Sequence, residues 1–207
     1  MLALAAVLTA WSAFQSAKWN GQQATAFSEA AAARTQAARA ADRADQLRSL
    51  DANVFIAWVQ AVATDIGPEE LMARGYAPKP GTVSTFLFRR LRKDFRPAME
   101  AWLASRPFQS EEAPATPFEM PQYRLPQDEQ AAQEAAKAEE RDAEARAHNL
   151  RSDHYVALTV VFALVFFFAG VGTKLQSRRA QRLMLGLGLV LFLGACAILI
   201  TFPVALR

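Results

Sequence analysis

The chain has 207 residues, 52% of them apolar, a formal net charge of +3 and a single cysteine. That length leaves room for one small soluble domain beside membrane segments, and one cysteine excludes both a disulfide framework and a cysteine-based zinc site. All 20 acids and 18 of the 23 bases lie between Ser16 and Asp153, so the positive balance comes from bases clustered near the C-terminus and speaks of membrane orientation, not of a nucleic-acid-binding surface.

Residues 1–20 are expected to form a first transmembrane segment. The apolar run from residue 1 to 14 is about 21 Å long as a helix, short of a hydrocarbon core of about 30 Å. No positive region precedes it, as one would in a signal peptide, although Ala13 and Ala17 leave cleavage open. An uncleaved span with a clipped start is the favoured reading, with Trp11 and Trp19 flanking the outer interface. Residues 21–50 follow as a stalk helix. From 22 to 46 there is no glycine or proline and alanine, the best helix former, dominates. Arg39–Asp42 and Asp45–Arg48 are placed for surface pairs.

Residues 51–126 read as a small helical cap with a proline-rich strap. Leu50, Val54, Phe55, Trp58, Val59 and Val62 make the best soluble apolar stripe. Asp51 either caps a new helix or lies in one that runs on. Gly67-Pro68-Glu69-Glu70 ends one helix and starts another, with proline in the first turn and acids beside it. Gly75 and Pro78-Lys79-Pro80-Gly81 form a loop. A helix from Thr82 to about Phe95 is expected to bury Phe86, Leu87, Leu91 and Phe95, and Pro97 opens a short helix carrying Met99, Trp102 and Leu103. Its basic cluster, Arg89, Arg90, Arg92, Lys93 and Arg96, suits lipid headgroups or an acidic partner; a solvated helix face is the plainer reading. The prolines at 107, 114, 117, 121 and 126 forbid a regular helix. Phe108, Phe118, Met120, Tyr123 and Leu125 should dock this strap on the cap, since disordered segments are poor in aromatics.

Residues 127–153 form a return stalk helix, alanine-rich and free of breakers, with Asp142–Arg146 spaced for a pair. Residues 22–48 and 127–152 would be about 40 Å and 39 Å long. Equal lengths favour an antiparallel stalk over two isolated helices.

Residues 154–207 form a transmembrane hairpin. Two apolar runs, 155–171 and 183–204, are long enough to cross a bilayer. The connector between them holds Lys174, Arg178, Arg179 and Arg182 and no acid, which assigns it to the cytoplasm. The N-terminus is then cytoplasmic, residues 16–153 are extracytoplasmic, and Arg207 is outside or at the interface. Thr159, Ala163, Phe166, Gly170 and Thr173 should face Gly186, Gly188, Gly194, Ala195 and Ala197, because small residues allow close approach of membrane helices; the same stripe could instead serve another copy.

Several local patterns point to one architecture. Thr9-Ala10-Trp11-Ser12 with Gln15, Trp19, Gly21 and Gln22-Gln23-Ala24 resembles a family of uncharacterised bacterial three-span inner-membrane proteins with a helical extracytoplasmic domain. So do Phe95-Arg96-Pro97-Ala98 with Ala101-Trp102-Leu103, Pro117-Phe118-Glu119-Met120-Pro121 with Tyr123, and Ser152-Asp153. The resemblance implies architecture and no activity.

Catalytic chemistry finds little purchase. His148 and His154 lie on different sides of a helix, with only Asp153 as an adjacent oxygen ligand; Asp153 and His154 could at most titrate together at the membrane edge. Glu139, Glu140, Asp142 and Glu144 spread around a helix. There is no nucleophile motif and no phosphate loop, and the spans carry no ionisable side chain but Cys196. The expectation is an all-α membrane protein without catalytic, cofactor or metal residues. It acts as a membrane-anchored scaffold or sensor-like module, with an oligomeric channel or transport accessory subunit as the alternative. Its partners are the lipid bilayer and either further copies or another membrane protein.

Overall fold

The structure, a computed structural model, describes residues 2–205; the question of the natural start at Met1 and the placement of Arg207 lie outside the described residues. The chain is all-α. Its elements are α1 (Leu2–Asp65), α2 (Pro68–Arg74), α3 (Val83–Arg89), α4 (Arg96–Ala104), a 3₁₀ turn (Pro117–Glu119), α5 (Pro126–Gly172) and α6 (Arg178–Thr201). No strand occurs among the described residues. Helix α1 runs through Asp51 without a break. It stops where Gly67, at φ 79°, leaves helical space and Pro68 starts α2 with Glu69 and Glu70 in its first turn.

The chain divides into two compact units, one formed by residues up to Ala33 and from Ala136 onward, the other by Arg34–Ala135. In the first unit α1, α5 and α6 pack together. The buried residues of α1 recur every seventh place, at Ala5, Ser12, Trp19, Ala26 and Ala33, with Gln15, Ser16 and Ala30 between them. This alternation of three and four is the seam of a left-handed helix pair. On α5 the seam runs through Ala138, Ala145, Ser152 and Tyr155. Ser16 and Ser152 share a hydrogen bond of 2.9 Å, and Arg141 meets Glu29 at 3.0 Å, so the helices run antiparallel here. Alanine at the seam leaves little between the backbones.

The expected small-residue stripe is corrected. On α5 the buried side chains are Tyr155, Leu158, Phe162, Val165 and Ala169, whereas Ala163, Gly170 and Thr173 are exposed and Thr159 and Phe166 are half-buried. On α6 only Gly188 and Ala195 are buried; Gly186, Gly194 and Ala197 face outward. Here α5 borders both α1 and α6, and large side chains fill the space between three helices where two alone would need small ones. Of the two tryptophans, Trp19 is buried in this bundle beside Tyr155, while Trp11 is exposed. Helix α6 begins inside the expected connector, at Arg178, and ends at Thr201, before Pro203.

Gly21 lies inside α1 with open space around it: a Cβ there would meet nothing within 4 Å. Gly21→Ala therefore stabilises α1 by about 0.5–1 kcal/mol, through helix propensity alone. Slower amide exchange in residues around 21 checks this; unchanged exchange counts against it.

The second unit has an aromatic core. Trp58, Val62, Leu91, Phe95, Met99 and Trp102 are buried together. The strap closes over them as expected. Phe118 stacks on Phe95 at 5.1 Å, Trp102 donates its indole N–H to the Pro114 carbonyl at 2.8 Å, and Leu125 is buried. Three expectations fail in detail. Leu50 and Val59 are exposed, because the inward face of α1 passes through Asp51, Val54, Phe55, Trp58 and Val62. Phe86 is exposed and Phe88 packs inward instead. The helix from Thr82 ends at Arg89. Thr82 caps it, a turn covers 90–95, and α4 starts at Arg96, since a helix continuing through Pro97 would lose a hydrogen bond and clash with the preceding turn.

Candidate functional site

In the second unit one polar cluster is built from three distant segments. Asp51 on α1 is 2% exposed. Its carboxylate accepts from Arg92 Nε at 2.9 Å, Arg92 Nη2 at 3.3 Å and the Tyr123 hydroxyl at 3.0 Å. Arg92 also reaches Asp94 at 3.4 Å. Hydrogen bonding to Asp51 raises the Arg92 pKa, and burial, helped by Asp51, holds the Tyr123 phenol protonated well above its ordinary range. Arg92 Nε and Nη2 and the Tyr123 hydroxyl all donate to the one carboxylate, while Arg92 Nη1 faces Asp94. The cluster clamps α1, the 90–95 turn and the strap together. Its other arginines divide. Arg96 donates to the Arg89 carbonyl, while the side chains of Arg89 and Arg90 are exposed.

In the first unit a polar seam runs through the apolar bundle. Ser12, Gln15, Ser16 and Ser152 are buried. Gln15 Oε1 accepts from the Ala205 N–H at 2.9 Å, and the Tyr155 hydroxyl donates to the Pro203 carbonyl at 3.0 Å, so the stretch 202–205 folds back onto the bundle. Ser12 Oγ, Gln15 Nε2 and Trp19 Nε1 have no hydrogen-bond partner. The Arg151 guanidinium lies 4.7 Å from the centroid of the Trp19 ring. Beyond it an open groove is lined by Lys18, Gln22, Glu29, Arg141, Glu144 and His148 among others. Its acids are already engaged: Arg141 holds both Glu29, at 3.0 Å, and Glu144, at 2.6 Å, and its hydrogen bond lowers the Glu144 pKa.

The two histidines sit in different settings. His148 approaches Glu144 at 3.5 Å and the Trp19 ring at 5.3 Å. His154 stacks on Phe202 at 5.3 Å, while Asp153 accepts from Asn149. Asp142 pairs with Arg146 at 3.3 Å and Asp45 with Arg48 at 2.7 Å, as their spacing predicts. Arg48 also reaches Asp128 at 2.6 Å, a contact between α1 and α5 that spacing alone does not reveal. Among the described residues no three of His, Cys, Asp and Glu converge as a metal site would require. Cys196 is a free thiol packed beside the bundle core.

These features define an all-helical protein with two helices, α5 and α6, long and apolar enough to cross a membrane. The apolar start of α1 does not reach that measure. Compared with family models, with curated proteins and with solved structures, the chain matches none.

Proposed function

We propose that the protein is a three-span bacterial inner-membrane scaffold or sensor-like module, non-enzymatic, acting through an extracytoplasmic helical domain. The first span is the apolar start of α1, which packs with α5 and α6; the alanine-seamed portions of α1 and α5 are its stalk, and residues 51–126 its cap. The observation that carries this reading is the Asp51–Arg92–Tyr123 cluster. The most buried charge of the second unit is spent on fastening three segments to one another, which makes a rigid surface and commits Asp51, Arg92 and Tyr123 to holding it. The orientation rests on Arg178, Arg179 and Arg182. They occupy the first turns of α6, where the helix dipole disfavours cations, and retention in the cytoplasm accounts for them. The resemblance to three-span inner-membrane proteins agrees with this topology.

A channel or transport accessory subunit is the second reading, favoured by the outward-facing Thr173 and Gly170 of α5. The two are separated in a Cys196→Ser background with single cysteines at positions 159 and 173. The scaffold reading expects position 159, about one turn inside the span, not to react with a membrane-impermeant thiol reagent, while position 173, just beyond the end of α5, reacts under either reading and serves as the labelling control. It also expects no conductance in planar bilayers and a mass in detergent that does not require a ring of subunits. Conductance together with reaction at 159 sinks it.

A further inference from the structure

We infer that the groove beside Arg89 and Arg90 is a docking site for an acidic peptide segment of a partner protein. The inference rests on the scaffold reading and names the surface that would carry it. The groove, about 590 Å³, is lined by residues from the 80–82 turn and α3, among them Thr82, Phe86, Arg89 and Arg90, with no acid among them.

The chemistry follows from how the basic cluster is divided. Arg92 is consumed by Asp51 and Asp94, and Arg96 donates to a backbone carbonyl. Neither Arg89 nor Arg90 has a carboxylate in salt-bridge contact among the described residues. The Arg90 guanidinium lies 4.5 Å from the centroid of the Phe86 ring. That contact holds the guanidinium beside the ring, and with no carboxylate in salt-bridge contact its N–H groups remain to grip an oxyanion in bidentate fashion. The same ring is 55% exposed, and Val83 on the same short helix is 58% exposed. Two unneutralised guanidiniums beside exposed apolar side chains complement a segment that places Asp or Glu next to a Leu- or Phe-like side chain. The site is concave, about 590 Å³, and so takes a protruding chain segment, whereas an anionic bilayer surface is bound through convex faces that insert into it; lipid binding is the outcome the vesicle arm below detects.

The test uses the full chain in nanodiscs of zwitterionic phosphatidylcholine and a fluorescein-labelled peptide of alternating Glu and Leu, read by anisotropy. The wild type binds it, the same peptide with Gln for Glu does not bind, and affinity falls as salt rises. Arg89→Glu with Arg90→Glu weakens binding about tenfold or more, and Phe86→Ser weakens it as well. Arg89→Gln with Arg90→Gln, a milder change at two exposed positions, should follow the same order while helix content by circular dichroism stays constant. Absence of binding by the wild type, or equal binding by the charge-reversed protein, overturns the proposal. So does loss of affinity for phosphatidylglycerol vesicles on charge reversal without any peptide binding, which would assign the surface to lipid. Crosslinked partners retained by the charge-reversed protein in cells would remove this site and leave the scaffold reading standing; conductance by the wild type would remove that reading instead.

Discussion

Replacing Trp58 by alanine is expected to unfold the second unit locally. Trp58 is fully buried, edge-on to Tyr76 at 4.8 Å and beside Phe55 and Trp102, each at 6.2 Å. Truncating a buried tryptophan to alanine costs about 3–5 kcal/mol, partly lost transfer energy and partly the cavity left behind. Here the cavity would open beneath the strap. The strap has only a single 3₁₀ turn of its own and is held by aromatic docking. Trp58→Phe should be much milder. It keeps an aromatic ring, and it removes an indole N–H that is buried without a partner. With two units in one chain a single unfolding midpoint is not well defined, so the readout must be local. Amide exchange of residues 54–125 in the alanine variant should accelerate by about a hundredfold or more, one factor of ten per 1.4 kcal/mol. Peptides from α6 should not change. Equal protection in the wild type and the alanine variant would show that Trp58 is not the keystone of this core.

The helix boundaries marked by proline or glycine were the most legible part of the sequence, because each has a covalent cause, whereas the end of α3 at Arg89 and the start of α6 at Arg178 carry no such mark. Proline removes an N–H, and glycine gives cheap access to positive φ; Gly67-Pro68, Pro97 and Pro126 accordingly all stand at helix ends or starts. The docking of the strap was legible too, since five apolar residues among prolines have no reason to exist in solvent. What stayed hidden was which side of each helix faces inward. Asp51 sits in the core stripe of α1, and no local pattern recommends burying an acid. The residues that make it tolerable, Arg92 and Tyr123, lie 41 and 72 positions away. Arg92 itself looks no different from Arg89 or Arg90 in a run of bases. Placing Leu50 and Val59 in the core followed from hydrophobicity alone, and one buried carboxylate rotated the stripe away from Leu50. The same limit applied in the bundle. A rule for two membrane helices in close contact selected Thr159, Ala163 and Gly170. A third helix changed the demand from closeness to volume, and Tyr155, Leu158 and Phe162 met it.

Asp51→Ala is expected to cost about as much as the loss of Trp58, by a different route. Removing one partner of a buried ion pair leaves the other charge desolvated and unpaired, a penalty of about 3–5 kcal/mol. Arg92 is 25% exposed, so water relieves part of that penalty and the lower end is expected. Asp51→Asn should cost less. The amide oxygen still accepts from Tyr123 or Arg92, while the charge is gone and an amide N–H₂ is turned toward donors. Arg92→Met combined with Asp51→Leu should be less harmful than the sum of the single changes, because apolar groups of similar volume can replace a buried pair with little net loss. The pH dependence has a definite sign. The Tyr123 phenol titrates higher in the folded chain than unfolded, first because it is buried and then because Asp51 repels the phenolate. Its contribution is thus complete below about pH 10, the unfolded value, and declines as pH rises from there toward the folded value. Asp51→Asn removes the repulsion but keeps the burial, so Tyr123 should ionise earlier than in the wild type yet still above about pH 10. A titration of phenolate absorbance against Tyr123→Phe isolates this one residue. If Tyr123 ionises at the same pH with and without the Asp51 charge, the two side chains are not coupled, and the clamp that fastens α1 to the strap is no more than neighbouring groups at hydrogen-bond distance.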